Sequence, residues 1–321
     1  MTIQEFIEAR LAALSAAPKA PPADIEATIF TTLMSKKFRK YSNSPEQIAG
    51  IKNAIRINVE KNEPIKFVFP FGGYKLWRFE EAPEVDWAEL FTMMYFAKWL
   101  EPVATMYKPG VEFVFSSQEI IAGRLNNLMP EETRAYGSSF DELLVFLKEH
   151  IPSNLRLVRI PYDTLYDSPK EFEKDLAVRI EESRAKLPGG IPQLSSAEHK
   201  VVELNVRPTF EQQKDPLWRE KTELVHNSFY NTKKFRPNLT ASEKIVVFTP
   251  MLSHYNCIAI GTTKTSIAKF WAGVGALQRR GDSYIETVLS PSQLTAAQFD
   301  WQTISLPGLE GKNFGRVRVL V

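Results

Sequence analysis

Seven residues in succession, Gly72-Gly73-Tyr74-Lys75-Leu76-Trp77-Arg78, hold the ingredients of an anion site. The backbone N–H groups of Gly72 and Gly73 can approach a negative charge closely, and Lys75 or Arg78 can neutralise it. Lysine would act as a point charge and arginine as a fork, and both suit phosphate or carboxylate. The plain alternative is a tight connection between two elements with solvated cations. Arg207 in VVELNVRP and Arg236 in KKFRPNL form a second set. Each precedes a proline, which favours an extended backbone, and each could clamp an anion or form a surface ion pair. Histidine is the usual acid or base at neutral pH, and the chain has four. His150 ends a helix and suits its dipole, His199 falls in a polar stretch read as a loop, and His226 lies on an amphipathic helix. His254, beside Tyr255 in a turn between two apolar runs, is the candidate for acid/base work, with a turn histidine as the alternative.

These residues depend on the elements that carry them. Ile65 to Phe71 and Val111 to Phe115 are short, apolar and rich in β-formers, as strands buried on both faces should be. Between them, Leu90, Phe91, Met94, Tyr95, Ala97 and Leu100 recur at helical spacing over Val85 to Met106, with Asp86 and Glu89 near the start. The Gly72 to Arg78 loop therefore leaves the carboxyl end of a strand in a strand, helix, strand unit, where parallel sheets collect ligands. A third strand is expected at Leu155 to Ile160, and helices at Gln118 to Leu128, Pro130 to His150 and Ser168 to Lys186, the last with Phe172, Leu176, Val178 and Ile180 inward. The alternation predicts an α/β layered sheet.

The N-terminal region reads as helices over Ile3 to Leu14, Asp24 to Lys40 and Pro45 to Lys61, the third opened by Ser44 as N-cap with Gln47 three residues on. The basic cluster Lys36, Lys37, Arg39, Lys40 is expected to be a solvated helix end. From Val201 the pattern turns β-rich, with strands expected at Val201 to Val206, Lys244 to Thr249, Cys257 to Gly261, Thr265 to Gln278, Ser283 to Leu289, Gln302 to Leu306 and Arg316 to Leu320. A helix over about Pro216 to Tyr230 interrupts them, and Arg279-Arg280-Gly281-Asp282 makes a hairpin turn. Gly273-Val274-Gly275 lacks the strand-then-helix setting of a dinucleotide loop and reads as close packing. The organisation expected is an N-terminal arm over 1–22 and one α/β domain over 23–321, with two domains meeting near Gly189 as the alternative.

Composition narrows the function. The chain has 321 residues, 44% hydrophobic and 24% charged, as expected for a soluble globular protein. Its formal charge of +2 gives no strong field toward nucleic acid or an anionic membrane, so anion recognition must be local. A lone cysteine, Cys257, excludes an intramolecular disulfide or a multi-thiolate zinc site and is expected to be buried and inert, and the histidines show no metal-ligand spacing. No secretory leader and no spanning apolar run is read, so a reducing, cytoplasmic setting is expected.

The runs NEPIKFVFPFGGYK and YKPGVEFVFSS resemble the isonitrile (isocyanide) synthases of the pyoverdine and dityrosine biosynthesis family. The matching residues are Glu63-Pro64-Ile65, Phe67-Val68, Phe69-Pro70-Phe71 and Tyr107-Lys108-Pro109-Gly110; beyond His150 the likeness is loose. The family's Lys-Ser-Pro-Asn is replaced by Gly72-Gly73-Tyr74-Lys75, and its Ser-Asp-Gly by Ser116-Ser117-Gln118. The resemblance implies a Rossmann-like enzyme that joins the amino group of an amino acid to a pentose phosphate, which supplies the isonitrile carbon, with no metal or redox cofactor. It assigns anion binding to Lys75, Arg78 and Arg236, and acid/base work to His254 with Tyr255. Small molecules are the expected partners. A protein that keeps the pocket without the chemistry is the competing class, and a nucleic-acid binder stacking bases on Tyr74 and Trp77 is disfavoured by the near-zero charge.

Overall fold

The computed structural model describes residues 1–72, 75–117, 119–161, 164, 166–186, 193–230, 243–249, 256–260, 267–311 and 313–321. The first helix, α1 (Ile3–Ala12), starts from a Thr2 and Glu5 capping box and buries Phe6, Ile7 and Leu11. The second, α2 (Ile25–Leu33), is capped by Asp24 and stops well short of Lys40. Tertiary contacts end it: Phe38 stacks on Trp99 at 5.2 Å, and Arg39 forms an isolated antiparallel bridge with Ile260. The third, α3 (Pro45–Glu60), has the expected Ser44 and Gln47 box.

Next come β1 (Ile65–Phe71), the one-turn α4 (Lys75–Arg78), α5 (Trp87–Met106), β2 (Val111–Ser117), α6 (Glu119–Asn126), α7 (Pro130–Lys148) and β3 (Leu155–Pro161). They are followed by α8 (Pro169–Lys186), α9 (Ser196–Asn205), α10 (Phe210–Gln213), α11 (Trp218–Tyr230), β4 (Ile245–Thr249) and β5 (Cys257–Ala259). A 3-10 turn (Ile267–Ala272) leads into β6 (Val274–Arg280), β7 (Ser283–Leu289), α12 (Pro291–Ala296), β8 (Phe299–Thr303) and β9 (Arg316–Leu320).

Strands β1 to β5 form a parallel sheet in the order β3-β2-β1-β4-β5, and β6 to β9 form a mixed sheet in the order β7-β6-β9-β8. The α/β layered fold expected from the sequence is therefore present. The helix α5 departs from the amphipathic expectation and is buried nearly all round, because it contacts both sheets. Its Phe96 and Trp99 rings meet Phe113 and Phe248, each at 4.6 Å, in an aromatic core that also takes Phe69, Phe71, Phe115 and Phe270. Such pairs add about 0.5–1.5 kcal/mol each beyond their burial.

The quoted motifs set register. Gly110, at φ +79°, lets β2 start against Asn154, whose carbonyl oxygen would lie 2.0 Å from any Cβ there. The Tyr107 hydroxyl donates to the Glu63 carbonyl at 2.8 Å, tying the start of β2 to that of β1. Gly281, at φ +58°, turns β6 into β7 as the hairpin sequence predicts.

Several expectations are corrected. Val201 to Val206 belongs to α9 and the residue after it, with Val202 and Val206 four residues apart and packed on Trp218; burial at helical spacing overrides the strand preference of valine. Ile267–Ala272 is a 3-10 turn and not strand, and β8 lies three residues earlier than expected. On α8, Phe172 and Leu176 are buried as expected but Val178 is exposed. Strand β3, at the sheet edge, is only half-buried over most of its length.

Candidate functional site

In the parallel sheet, the chain leaves β1 toward β2 on one side, while β4 pairs with β1 on the other and leads to β5. Connections diverge at the β1/β4 junction, which makes it the topological switch point of the sheet, the place where sheets of this type collect ligands. Gly72 follows β1 directly at this edge.

Lys75 is drawn inward from the loop. It is fully buried, and its Nζ donates to Asp86 Oδ1 and Glu89 Oε2, each at 2.6 Å. Asp86 caps α5 and Glu89 closes its capping box, so a helix-start motif becomes half of an ion cluster. Asp86 also accepts from the backbone N–H of Ala88 at 2.8 Å and of Gly275 on β6 at 3.1 Å. The Tyr136 hydroxyl on α7 donates to Glu89 Oε1 at 2.9 Å. One cation thus faces two carboxylates and a phenol, and joins the loop after β1 to α5, α7 and the second sheet.

Charge in this dry site is settled by competition. Burial works against the Lys75 ammonium, but the two carboxylates outweigh it and raise its pKa. Burial also works to raise Asp86, yet the Lys75 charge and its hydrogen bonds hold it below the usual carboxylate range. Glu89 is pushed up to about 8, first by burial and then by the Asp86 charge, against the pull of Lys75. Burial and the neighbouring Glu89 lift Tyr136 well above the ordinary phenol value. On that balance Glu89 holds a proton at neutral pH, which requires the Tyr136 hydroxyl to turn and accept it, and leaves Asp86 as the ionised partner of Lys75.

A second polar group continues along the strand ends. Arg159 on β3 pairs with Asp141 through Nε at 2.9 Å and Nη2 at 2.6 Å, contacts Glu119 at the start of α6, and donates to Ser117 Oγ at 3.3 Å. Gly137, next to Tyr136, makes room for it: a Cβ there would lie 3.1 Å from Arg159 Nη1. Two buried polar atoms, Ser116 Oγ near the end of β2 and the indole Nε1–H of Trp77, make no hydrogen bond with the described residues. Unsatisfied buried polar groups are uncommon and suit a ligand that completes them.

The remaining candidates are placed as follows. The Arg78 guanidinium stacks on Trp77 at 4.1 Å and donates to the Glu203 carbonyl on α9. Arg207 does not end a strand. It follows α9, its backbone N–H bonds Asn126 O at 2.9 Å, and its half-exposed guanidinium lies 3.4 Å from Glu132 on α7. Gly73, Arg236, His254 and Tyr255 lie outside the described residues. Cys257 is buried, as expected. His199 is on α9 and not in a loop. Asp86 and Glu89 were legible only as a helix start, and Tyr136 carried no signal, because nothing in a sequence says which carboxylates a lysine will meet.

Among the described residues, no group of histidine, cysteine and carboxylate side chains is arranged to hold a metal ion, and no helix is long and apolar enough to cross a membrane. No protein-family model matches the sequence, and no curated protein matches it significantly. Among solved structures, the PvcA protein from Pseudomonas aeruginosa is similar in fold, with a TM-score of 0.63 and 14% identity over 93% of this chain and 100% of that one. A tyrosyl-tRNA synthetase from Aeropyrum pernix gives a TM-score of 0.31 at 11% identity over 70% of this chain and 53% of that one.

Proposed function

We propose that the protein is a small-molecule biosynthetic enzyme of the isonitrile synthase type, which condenses the amino group of an amino acid with a sugar phosphate. The observation that carries this reading is the topological switch point at the β1/β4 junction, next to which the buried Lys75 cluster anchors the helical turn that follows β1. Supporting it are the Glu63 to Phe71 and Tyr107 to Gly110 motifs, which resemble that family, and the full-length likeness in fold to PvcA.

In this reading the phosphate is met by the N–H groups of Gly72 and Gly73 and by Arg78 and Arg236. Lys75, whose charge is already met by Asp86 with Glu89 beside it, anchors the helical turn that follows β1. His254 and Tyr255, in the segment between β4 and β5, serve as the acid/base pair for imine formation and sugar cleavage. Ser116 Oγ and Trp77 Nε1 are available to polar groups of the substrates.

Thermal shift with amino acids and pentose phosphates, singly and in pairs, tests the reading. A ligand of the native state stabilises it by RT ln(1 + [L]/Kd), about 2.7 kcal/mol at a hundredfold excess over Kd. Stabilisation that is largest for an amino acid together with a pentose phosphate is expected. Stabilisation by neither class would leave the fold as a binding or interaction module with another partner.

A further inference from the structure

One carboxylate and imidazole pair is not used in the reading above. On α9, His199 Nε2 lies 2.6 Å from Glu220 Oε1 on α11. Glu203, one turn beyond His199, takes Arg219 Nε on its carboxylate at 2.7 Å and the Arg78 guanidinium on its backbone carbonyl. Residues four apart on a helix share a face. Glu203, one turn along α9 from His199, is thus the point at which this helix meets the turn that follows β1.

The pair has the internal geometry of an acid/base dyad. Glu220 is 8% exposed, and its Oε2 takes no hydrogen bond from the described residues. Burial works to raise its pKa, but a backbone hydrogen bond and His199 outweigh this and keep it below the usual range, so the carboxylate is ionised. An ionised carboxylate at Nε2 fixes the Nε2–H tautomer and leaves the Nδ1 lone pair free to take a proton. The imidazole side chain keeps 37% of its exposure, so the pair does not seal it off. One turn along α9, Glu203 pairs with Arg219 of α11 and its carbonyl takes Arg78 of α4.

We propose that His199 and Glu220 form an acid/base dyad for the substrate held at the end of β1, with His199 moving the proton and Glu220 orienting the ring. This rests on the enzymatic reading above. In the step, the N–H or O–H bond of the substrate breaks as an Nδ1–H bond forms. Glu220 stays ionised and balances the imidazolium, which returns the proton to the departing group.

The test uses the full chain with H199A and E220Q, an aromatic amino acid and ribulose 5-phosphate. The dyad requires kcat in H199A to fall about 100-fold or more with KM nearly unchanged, and added imidazole to restore at least tenfold. It also requires E220Q to displace the acidic limb of the pH profile, on which a general base must lose its proton. Turnover within threefold of the parent in H199A, or a loss that imidazole does not restore, would reduce the pair to an interhelical clasp. If the parent protein shows no turnover with any substrate pair, the enzymatic reading fails, and labelling by diethyl pyrocarbonate decides the dyad separately. Carbethoxylation of His199 at pH 8 about tenfold slower in E220Q than in the parent would sustain an activated imidazole, whereas equal rates would overturn it.

Discussion

Glu89 makes stability depend on pH in a way that its neighbours do not. Its pKa rises from 4.5 to about 8 on folding, so between these values the folded chain holds a proton that the unfolded chain has released. Stability from this group is complete below pH 4.5 and is lost as pH rises through 8. At about 1.4 kcal/mol per unit, the full window amounts to roughly 5 kcal/mol. The groups facing Glu89 act in other ranges: Lys75 is raised from 10.5, Asp86 is lowered from 3.8, and Tyr136 lies well above 10. Glu89→Gln mimics the protonated acid, keeping an acceptor for Lys75 and turning its amide toward the Tyr136 oxygen. Urea denaturation of the parent and E89Q from pH 5 to pH 9 isolates the effect, since other titrations cancel in the difference. The variant should match or slightly trail the parent at pH 5, and gain on it steadily, by several kcal/mol, toward pH 9. A difference constant to within about 0.5 kcal/mol across that range would refute the assignment of a buried proton to Glu89.

Removing the cation is a harsher change: Lys75→Met leaves Asp86 facing Glu89 without a counter-charge and should cost about 3–5 kcal/mol in the same assay. The triple replacement of Lys75 by Met, Asp86 by Asn and Glu89 by Gln should recover part of that loss, and a triple variant worse than K75M would contradict the cluster's energetics. At Gly275, an added Cβ would lie 2.4 Å from Trp87 Cβ and 2.5 Å from Ala88 N, so Gly275→Ala should push β6 from the start of α5 and lower stability by at least about 1–3 kcal/mol. A melting temperature unchanged in G275A would mean that the two elements are not in contact as described.

The layered sheet was legible because its information is local. Ile65 to Phe71 and Val111 to Phe115 are short runs rich in apolar β-formers, each with one charged residue, and Ser44, Asp86 and Gly281 carry chemistry that helix starts and hairpin turns require. Where the reading failed, tertiary contact decided against local preference. Val202 and Val206 look like strand residues until Trp218 is placed beneath them, and the lysines after α2 look helical until Trp99 captures Phe38. The site was legible in outline only. Gly72 and the helical turn Lys75–Arg78 do follow the carboxyl end of a parallel strand, where the strand, helix, strand pattern puts them. Which partners its cations meet depends on residues 11, 14 and 125 positions away, and no periodicity encodes such distances.

Isotope tracing tests the central claim most directly. The purified protein would be incubated with aromatic amino acids and uniformly 13C-labelled ribulose 5-phosphate, and the products read by mass spectrometry. The account predicts an amino-acid product that carries one labelled carbon on its nitrogen and has lost both amine hydrogens, formed by the parent protein and absent without it. Amino acids recovered without label, from protein shown by thermal shift to bind both partners, would contradict it.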